Sequence, residues 1–579
     1  MKEIVFDIEA NGLKPDKIWC IVAKPLGEPV VSFGPDKIAE GVAYLKSADS
    51  LIGHNILGYD IPVIKRLCGV DLSTCNIKDT LVMSRLFNPV RENGHSLKTW
   101  GYIVNMPKDE QPEDWESYSP QMLKYCQKDV ILNERVYNKL LDEGKDFDEE
   151  SIKLEHSVAV ILKDQEDSGF EFDQEYAMML VATLKERMFL VEKEVKEVFK
   201  PRLVDIKKVF PKLKKDGTLS KSGLTKEEYD YVLSSNCTEY KPFMRQKLQD
   251  FNLGSRKQIG EYLTELGWKP NRFTPTGQPV VDEGSLSKVK KIPEAKLIAE
   301  FLLLQKRIAQ IDSWILAVQE DNRVHGFVIP NGTITGRMSH RSPNVAQVPS
   351  ISSEYGTECR SCWIVKDGYK LVGVDASGLE LRILAHYMDD KGYTNEVTDG
   401  DIHTANQKAA GLKSRDQAKT FIYAFIYGAG DAKIGSVAGG GRKLGKELKQ
   451  RFLDNQPSLR TLRDRVQKAC KRGYLKGLDG RKIFIRNEHA ALNSLLQGGG
   501  AIVMKRALVQ LYSLIKLNAY DAKIVANIHD EWQIEVKEDI ADAVGEVAVK
   551  CIEEAGDYYK MRCPLTGEYK IGDNWNETH

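Results

Sequence analysis

A chain of 579 residues, 42% hydrophobic and 29% charged, is too long for a single core and too apolar to stay disordered, so about 3–5 folded domains are expected. Lys+Arg and Asp+Glu both number 83, giving a formal net charge of +0. A uniformly basic nucleic-acid binder is thereby excluded; any basic surface must be local and balanced elsewhere, as acidic metal sites would do.

The opening MKEIVFDIEA carries acids inside its first apolar run, which argues against a signal peptide, and no apolar run is long enough to span a bilayer. A cytoplasmic protein with no membrane association is expected. The ten cysteines are scattered, as in a reduced compartment. The one CxxC, Cys359 to Cys362, lacks the second pair that a zinc site would need and reads as free thiols.

Residues 1–150 mix short β-rich runs with helical stretches and read as a compact α/β domain. In VFDIEAN, Asp7 and Glu9 are two apart on an expected strand, so both carboxylates point to one face. Surface strands often carry acids, and the pair alone is weak evidence. Two adjacent acids repel unless a cation lies between them, and oxygen ligands of this kind suit Mg²⁺ or Mn²⁺. Asp60 closes LIGHNILGYD. Tyr125 and Asp129 are four apart in an expected helix and share a face. Four acids and a tyrosine could hold two metals and position a water for in-line attack on a phosphodiester. In motif, order and spacing this set resembles the proofreading 3′–5′ exonucleases of the DEDD class with tyrosine. That resemblance implies metal ligation by Asp7, Glu9, Asp60 and Asp129, with Tyr125 orienting the water and His54 and Asn55 shaping the site or touching substrate.

From about 151 to 200 the chain reads as charged helix. Residues 199–226 hold nine Lys/Arg against Asp205 and Asp216. They are either a solvated linker or a contact for nucleic-acid backbone or a partner. From 320 onward strands and helices alternate. In YKLVGVDASGLELRILAHY a strand ends at Asp375 and a helix follows. A carboxylate at a strand end is rigidly held yet reaches solvent. RDQAKTFIYAFIYG reads as helix, and its four-residue steps put Arg415, Lys419, Tyr423 and Tyr427 on one face. A fork-shaped guanidinium and a compact ammonium suit a polyphosphate, and a tyrosine ring could stack on a base or sugar. A solvated cationic face with two half-buried tyrosines is the alternative. The stretch Gly440 to Lys446 looks like a P-loop until Glu447, where Ser or Thr is needed, and reads as a flexible basic turn. Gly498 to Gly500 reads as close packing or approach to DNA. KIVANIHDEWQIEV reads as two strands with Asp530 at the hairpin tip. Asp375 and Asp530, each at a strand end, could again hold two Mg²⁺ ions about 4 Å apart.

DASGLELR, the Arg415–Tyr427 stripe and HDE, in that order, resemble the three polymerase motifs of the family A DNA polymerases. TGRMSHRSPNVAQVP (335–349) and DGRKIFIRNEHAALNSLLQGGGA resemble the flanking elements, and the wording is most similar to the phage replicative branch. The resemblance implies an α/β multidomain fold: a ribonuclease H-like exonuclease domain (1–150), thumb and basic insertion (151–330), palm (331–410 and 491–579) and fingers (411–490). It implies that Asp375, Asp530 and the Ala376 carbonyl bind two metals. His403, Arg415 and Lys419 would contact the triphosphate, Tyr423 the sugar, and Tyr427 would lie near the templating base. Glu380 would gate against a 2′-hydroxyl. Arg337, Asn493, Gln497 and His529 would contact the duplex. The implied partners are primer–template DNA and dNTPs, with a processivity factor such as thioredoxin and a replicative helicase–primase, in the host cytoplasm if phage-encoded. The basic stretch near 199–256 matches the thioredoxin-docking insertion of that branch poorly and is shorter. No 5′-nuclease domain is expected ahead of Asp7. A single-subunit RNA polymerase would share the stripe and both Asp, but Glu380 and the N-terminal cluster argue against it. A catalytically dead scaffold would be expected to have lost some of the six acids.

Overall fold

The alternating apolar residues of VFDIEA make β1 (Glu3–Ala10) the centre of a five-stranded sheet. A computed structural model describes residues 2–73, 75–234 and 241–579. In the first sheet the order is β3-β2-β1-β4-β5, with β2 Ile18–Pro25, β3 Val31–Phe33, β4 Ser50–Gly53 and β5 Asn76–Asp79. β1 runs antiparallel to β2 and parallel to β4, and β4 runs parallel to β5. Both faces of the sheet are covered. Ile4, Phe6 and Ile8 enter one apolar cluster with Leu51 and Ile64, while Val5 joins Trp100, Val130 and Val136 on the other side. This mixed sheet is the ribonuclease H-like arrangement expected for the N-terminal region.

The C-terminal half is built on a second, antiparallel sheet of four strands, in the order Ala522–Ile528, Glu531–Lys537, Tyr369–Ala376, Gly567–Gly572. Helices Leu379–Met388, Arg415–Ile426, Ala491–Leu517 and Ala541–Tyr558 share one continuous core with it, through residues such as Val372, Ile383, Phe421, Leu496, Ile534 and Val544. The three glycines 498–500 lie inside the Ala491–Leu517 helix. A Cβ at Gly498 would come within 2.6 Å of Ile483, so close packing is what they serve.

The chain forms two compact units: residues 1–174 with 317–579, and Glu175–Leu316. The first holds both sheets and the Glu149–Ser168 helix. In the second, the basic stretch forms a strand, Arg202–Val209, paired antiparallel with Phe243–Gln249. The stretch after Gly440 is not a flexible turn: a helix runs from Arg442 to Asp454. Gly441 starts it in an extended conformation, and buried Leu448 and Phe452, one turn apart, hold it down. Cys359 and Cys362 are both buried.

Candidate active sites

Asp375 and Asp530 are brought close because two antiparallel strands end together. Asp375 is paired with Glu531 across the sheet, and the Ala376 N–H donates to the Asp530 carbonyl at 3.2 Å. The turn between the strands is two residues long and needs His529 in the left-handed region at φ 56°. Asp375 is open to solvent, yet the surrounding protein excludes enough water, with Asp530 nearby, to push its carboxyl up to about 6. Burial raises Asp530 too, and the Arg337 guanidinium, 3.6 Å away, opposes that.

The same Arg337 nitrogen lies 3.4 Å from Glu380 Oε1, and the Tyr427 hydroxyl donates to Glu380 Oε2 at 2.8 Å. Glu380 is therefore gripped from two sides. Arg337, His529 and Asp530 line a cavity of about 30 Å³ with Lys505, Asn527 and Trp532, room for about one water.

Ser414 caps the stripe helix by accepting from the Gln417 N–H, and Tyr427 stands at its C-terminal end, its N–H still bonded to the Tyr423 carbonyl. The Tyr423 and Tyr427 rings are 6.3 Å apart, and His403 lies 6.5 Å from Tyr423. Arg415 donates to Asp401 at 2.8 Å, the residue that caps the helix carrying His403. Lys419 is exposed and has no ion-pair partner among the described residues. Four-residue spacing thus yields one face, as its residues required. Asn493 and Gln497 stand on the Ala491–Leu517 helix, outside the cavity lining, and the buried Asn493 side-chain carbonyl has no hydrogen-bond partner among the described residues.

A second acid cluster lies on the first sheet. Asp7 and Glu9 extend from one face of β1, and Asp60 opens the Asp60–Cys68 helix, its Oδ1 accepting from the Ile8 N–H at 3.0 Å. The Pro120–Glu143 helix brings Tyr125 and Asp129 to the same place. Burial, reinforced by the neighbouring acids, holds Asp7 well above the carboxylate range and pushes Glu9 up to about 9. Burial likewise lifts Asp60 to about 7 and raises Asp129. Four carboxyls that resist ionising together are what a dication relieves, and this all-oxygen set fits one. The Cys126 thiol also lies in the cluster, 3.7 Å from Asp7 Oδ2. His54 is bonded to Thr80 at 2.9 Å, and burial holds it neutral at about 4.

Lys108 was not identifiable from the sequence. It pairs with Asp129 and lies 4.6 Å from the Tyr125 ring centroid, touching two expected site residues at once. It sits in the irregular loop MPKDEQPEDW, where no periodicity marks a side chain as inward-facing.

The family described as DNA polymerase family A matches residues 226–577. The DNA-directed DNA polymerases of Enterobacteria phage T3 and Escherichia phage T7 are each 33% identical to this chain, with 100% of both chains covered. The chain belongs to DNA polymerase family A. This family A polymerase is also 28% identical to the DNA polymerase I of Pseudomonas aeruginosa, over 57% of its own length and 39% of that protein's. Its fold matches the POL domain of Pol1 from M. smegmatis, solved in complex with DNA primer-template and dNTP, with a TM-score of 0.78 at 18% identity, covering 99% of this chain and 95% of that one. The family match spans the Asp375–Asp530 site. The first acid cluster precedes it, in the part that the phage relatives also cover.

Proposed function

We propose that this polymerase adds deoxynucleotides to a primer 3′ end on template DNA, and that its N-terminal cluster removes mispaired 3′ ends. The meeting of Asp375 and Asp530 at neighbouring strand ends, with Arg337, Glu380 and Tyr427 tied around them, carries the first half of this reading. The names of the phage relatives, and the primer-template and dNTP bound by the M. smegmatis POL domain, support it. The four clustered acids with Tyr125 carry the second half.

Asp375, Asp530 and the Ala376 carbonyl would hold two Mg²⁺, with Mn²⁺ able to substitute. When bound, that pair supplies a lower pKa at the primer 3′-hydroxyl and neutralises the departing pyrophosphate. Arg415, Lys419 and His403 bind the triphosphate, and Lys419, free of any salt bridge among the described residues, gives a proton to the leaving group. Tyr423 packs on the incoming sugar, and Glu380 blocks a 2′-hydroxyl. Arg337, Asn493, Gln497 and His529 contact the duplex near the primer end, through acceptors common to all base pairs. In the first cluster, Asp7, Glu9, Asp60 and Asp129 hold metal, and Tyr125 orients the attacking water. The working division is exonuclease 1–150, thumb 151–330, palm 331–410 and 491–579, and fingers 411–490.

Asp375→Asn or Asp530→Asn should abolish primer extension and spare degradation of single strands, while Asp7→Ala with Glu9→Ala should do the reverse. Loss of both activities in either variant would refute two separate centres.

A further inference from the structure

Two adjacent residues of the Glu149–Ser168 helix bond into opposite networks. Glu155 is wholly buried, and its Oε1 accepts from Lys505 Nζ at 2.6 Å and from Arg481 Nη1 at 2.5 Å. Arg481 also forks onto buried Asp479, at 2.6 and 2.8 Å. Burial pushes the Lys505 ammonium down to about 8, against the pull of Glu155. Taking four charges out of water costs several kcal/mol per ion, and an apolar core of equal volume would hold the elements together as well. What the charges add is fixed geometry. Lys505 Nζ donates to the Gly336 carbonyl at 2.7 Å, and Gly336, at φ +77°, leaves only 3.0 Å between a would-be Cβ and Arg481 Nη1. The next residue is Arg337, which reaches Glu380 and Asp530.

His156 leads the other way. Its Nδ1–H donates to the Ile152 carbonyl at 2.8 Å, so its Nε2 accepts from the Asp79 N–H, also at 2.8 Å. The Asp79 carboxylate accepts from the N–H groups of Asn55 and Leu57, both at 3.0 Å. That turn runs into the helix beginning at Asp60. A parallel tie joins the same regions: Asn331, in the loop before Arg337, donates to the Val82 carbonyl at 3.2 Å.

We propose that this helix positions both reaction centres, Glu155 serving nucleotide addition through Lys505 and Arg337, and His156 serving 3′-end hydrolysis through Asp79, a role that rests on the reading of the two acid clusters above. Neither residue touches substrate. Both act by holding loops whose next residues do.

The test uses the full chain and rates per folded molecule, with melting temperatures measured alongside. Glu155→Gln should lower kcat for single-nucleotide addition about tenfold, with the KM for dNTP and the single-strand degradation rate each within about twofold. His156→Leu should lower degradation about tenfold and leave extension within about twofold. Glu155→Gln combined with Lys505→Met should be no slower than Lys505→Met alone, since both cut one path. Additive losses in that pair, or equal falls of both activities in either single variant, would show that the charges are only glue. If Glu155→Gln does not fold, Glu155→Asp keeps the charge and shortens the arm; the same split supports the role, and wild-type rates refute it. Asp375→Asn run in parallel separates the two readings: extension surviving there refutes the assignment of the synthesis site itself.

Discussion

Tyr427 donates its phenol hydrogen to Glu380 at 2.8 Å, so the end of the cationic stripe is latched to the helix that follows Asp375. Burial and the Glu380 charge both raise the Tyr427 pKa, which keeps the phenol a donor at any working pH. With Arg337 on its other side, the Glu380 carboxylate is held between two partners.

That grip predicts sugar selectivity. Glu380→Ala should weaken the preference for dNTP over rNTP by about 10–200-fold in kcat/KM, the scale of one lost pocket contact. Tyr427→Phe, which frees one side of the carboxylate, should weaken it less. Unchanged discrimination in Glu380→Ala would remove Glu380 from that role.

Tyr423 predicts how a missing 3′-hydroxyl is treated. Its phenol can replace the hydrogen bond which that hydroxyl would have made. The chain should accept dideoxynucleotides readily, and Tyr423→Phe should make it reject them, read as the ratio of chain termination to extension. Equal termination by both proteins would sink the idea.

Lys108 should matter only for hydrolysis. Lys108→Met strips Asp129 of its ion pair and Tyr125 of its cation. Single-strand degradation should fall about 10- to 100-fold with extension unchanged. A variant that degrades at the wild-type rate would make Lys108 a bystander.

The raised carboxyls predict a pH-dependent stability. Unfolded carboxyls titrate near 4, whereas Asp60 is lifted to about 7 and Glu9 to about 9. The folded state therefore holds more protons, and stability must fall as pH rises from about 4 through 9. In EDTA the melting temperature should be lower at pH 8.5 than at pH 5.5. On the proposed ligand assignment Mg²⁺ would bind the ionised form of the folded chain, so it should raise the melting temperature more at pH 8.5. A flat profile in EDTA, or equal metal effects at both pH values, would contradict the cluster as drawn.

What could be read from the sequence was local. Asp7 and Glu9 share a face because strand side chains alternate, and the Arg415–Tyr427 stripe follows from helical pitch; both needed only nearby residues. Asp375 and Asp530 were marked by their strand ends. Lys108 was hidden because a loop has no period to betray an inward side chain. The Glu155–Lys505–Arg481 cluster joins residues more than three hundred positions apart, and Lys505, followed by Arg506 in a helix that also holds Lys516, carries no sign of its partner. The helix starting at Arg442 was concealed by the glycines before it, although Leu448 and Phe452 already carried its spacing.

The placement of the two acid sets has a consequence for the chain as it is born. All four acids of the first cluster have left the ribosome once Asp129 has, and the helix that braces them ends at Ser168. Asp375 must wait for Asp530, in a turn made roughly four hundred residues after Asp129, before the two can come together. At about 5–20 residues per second that interval is tens of seconds. A chain cut short midway would carry the whole first acid set and only one aspartate of the second.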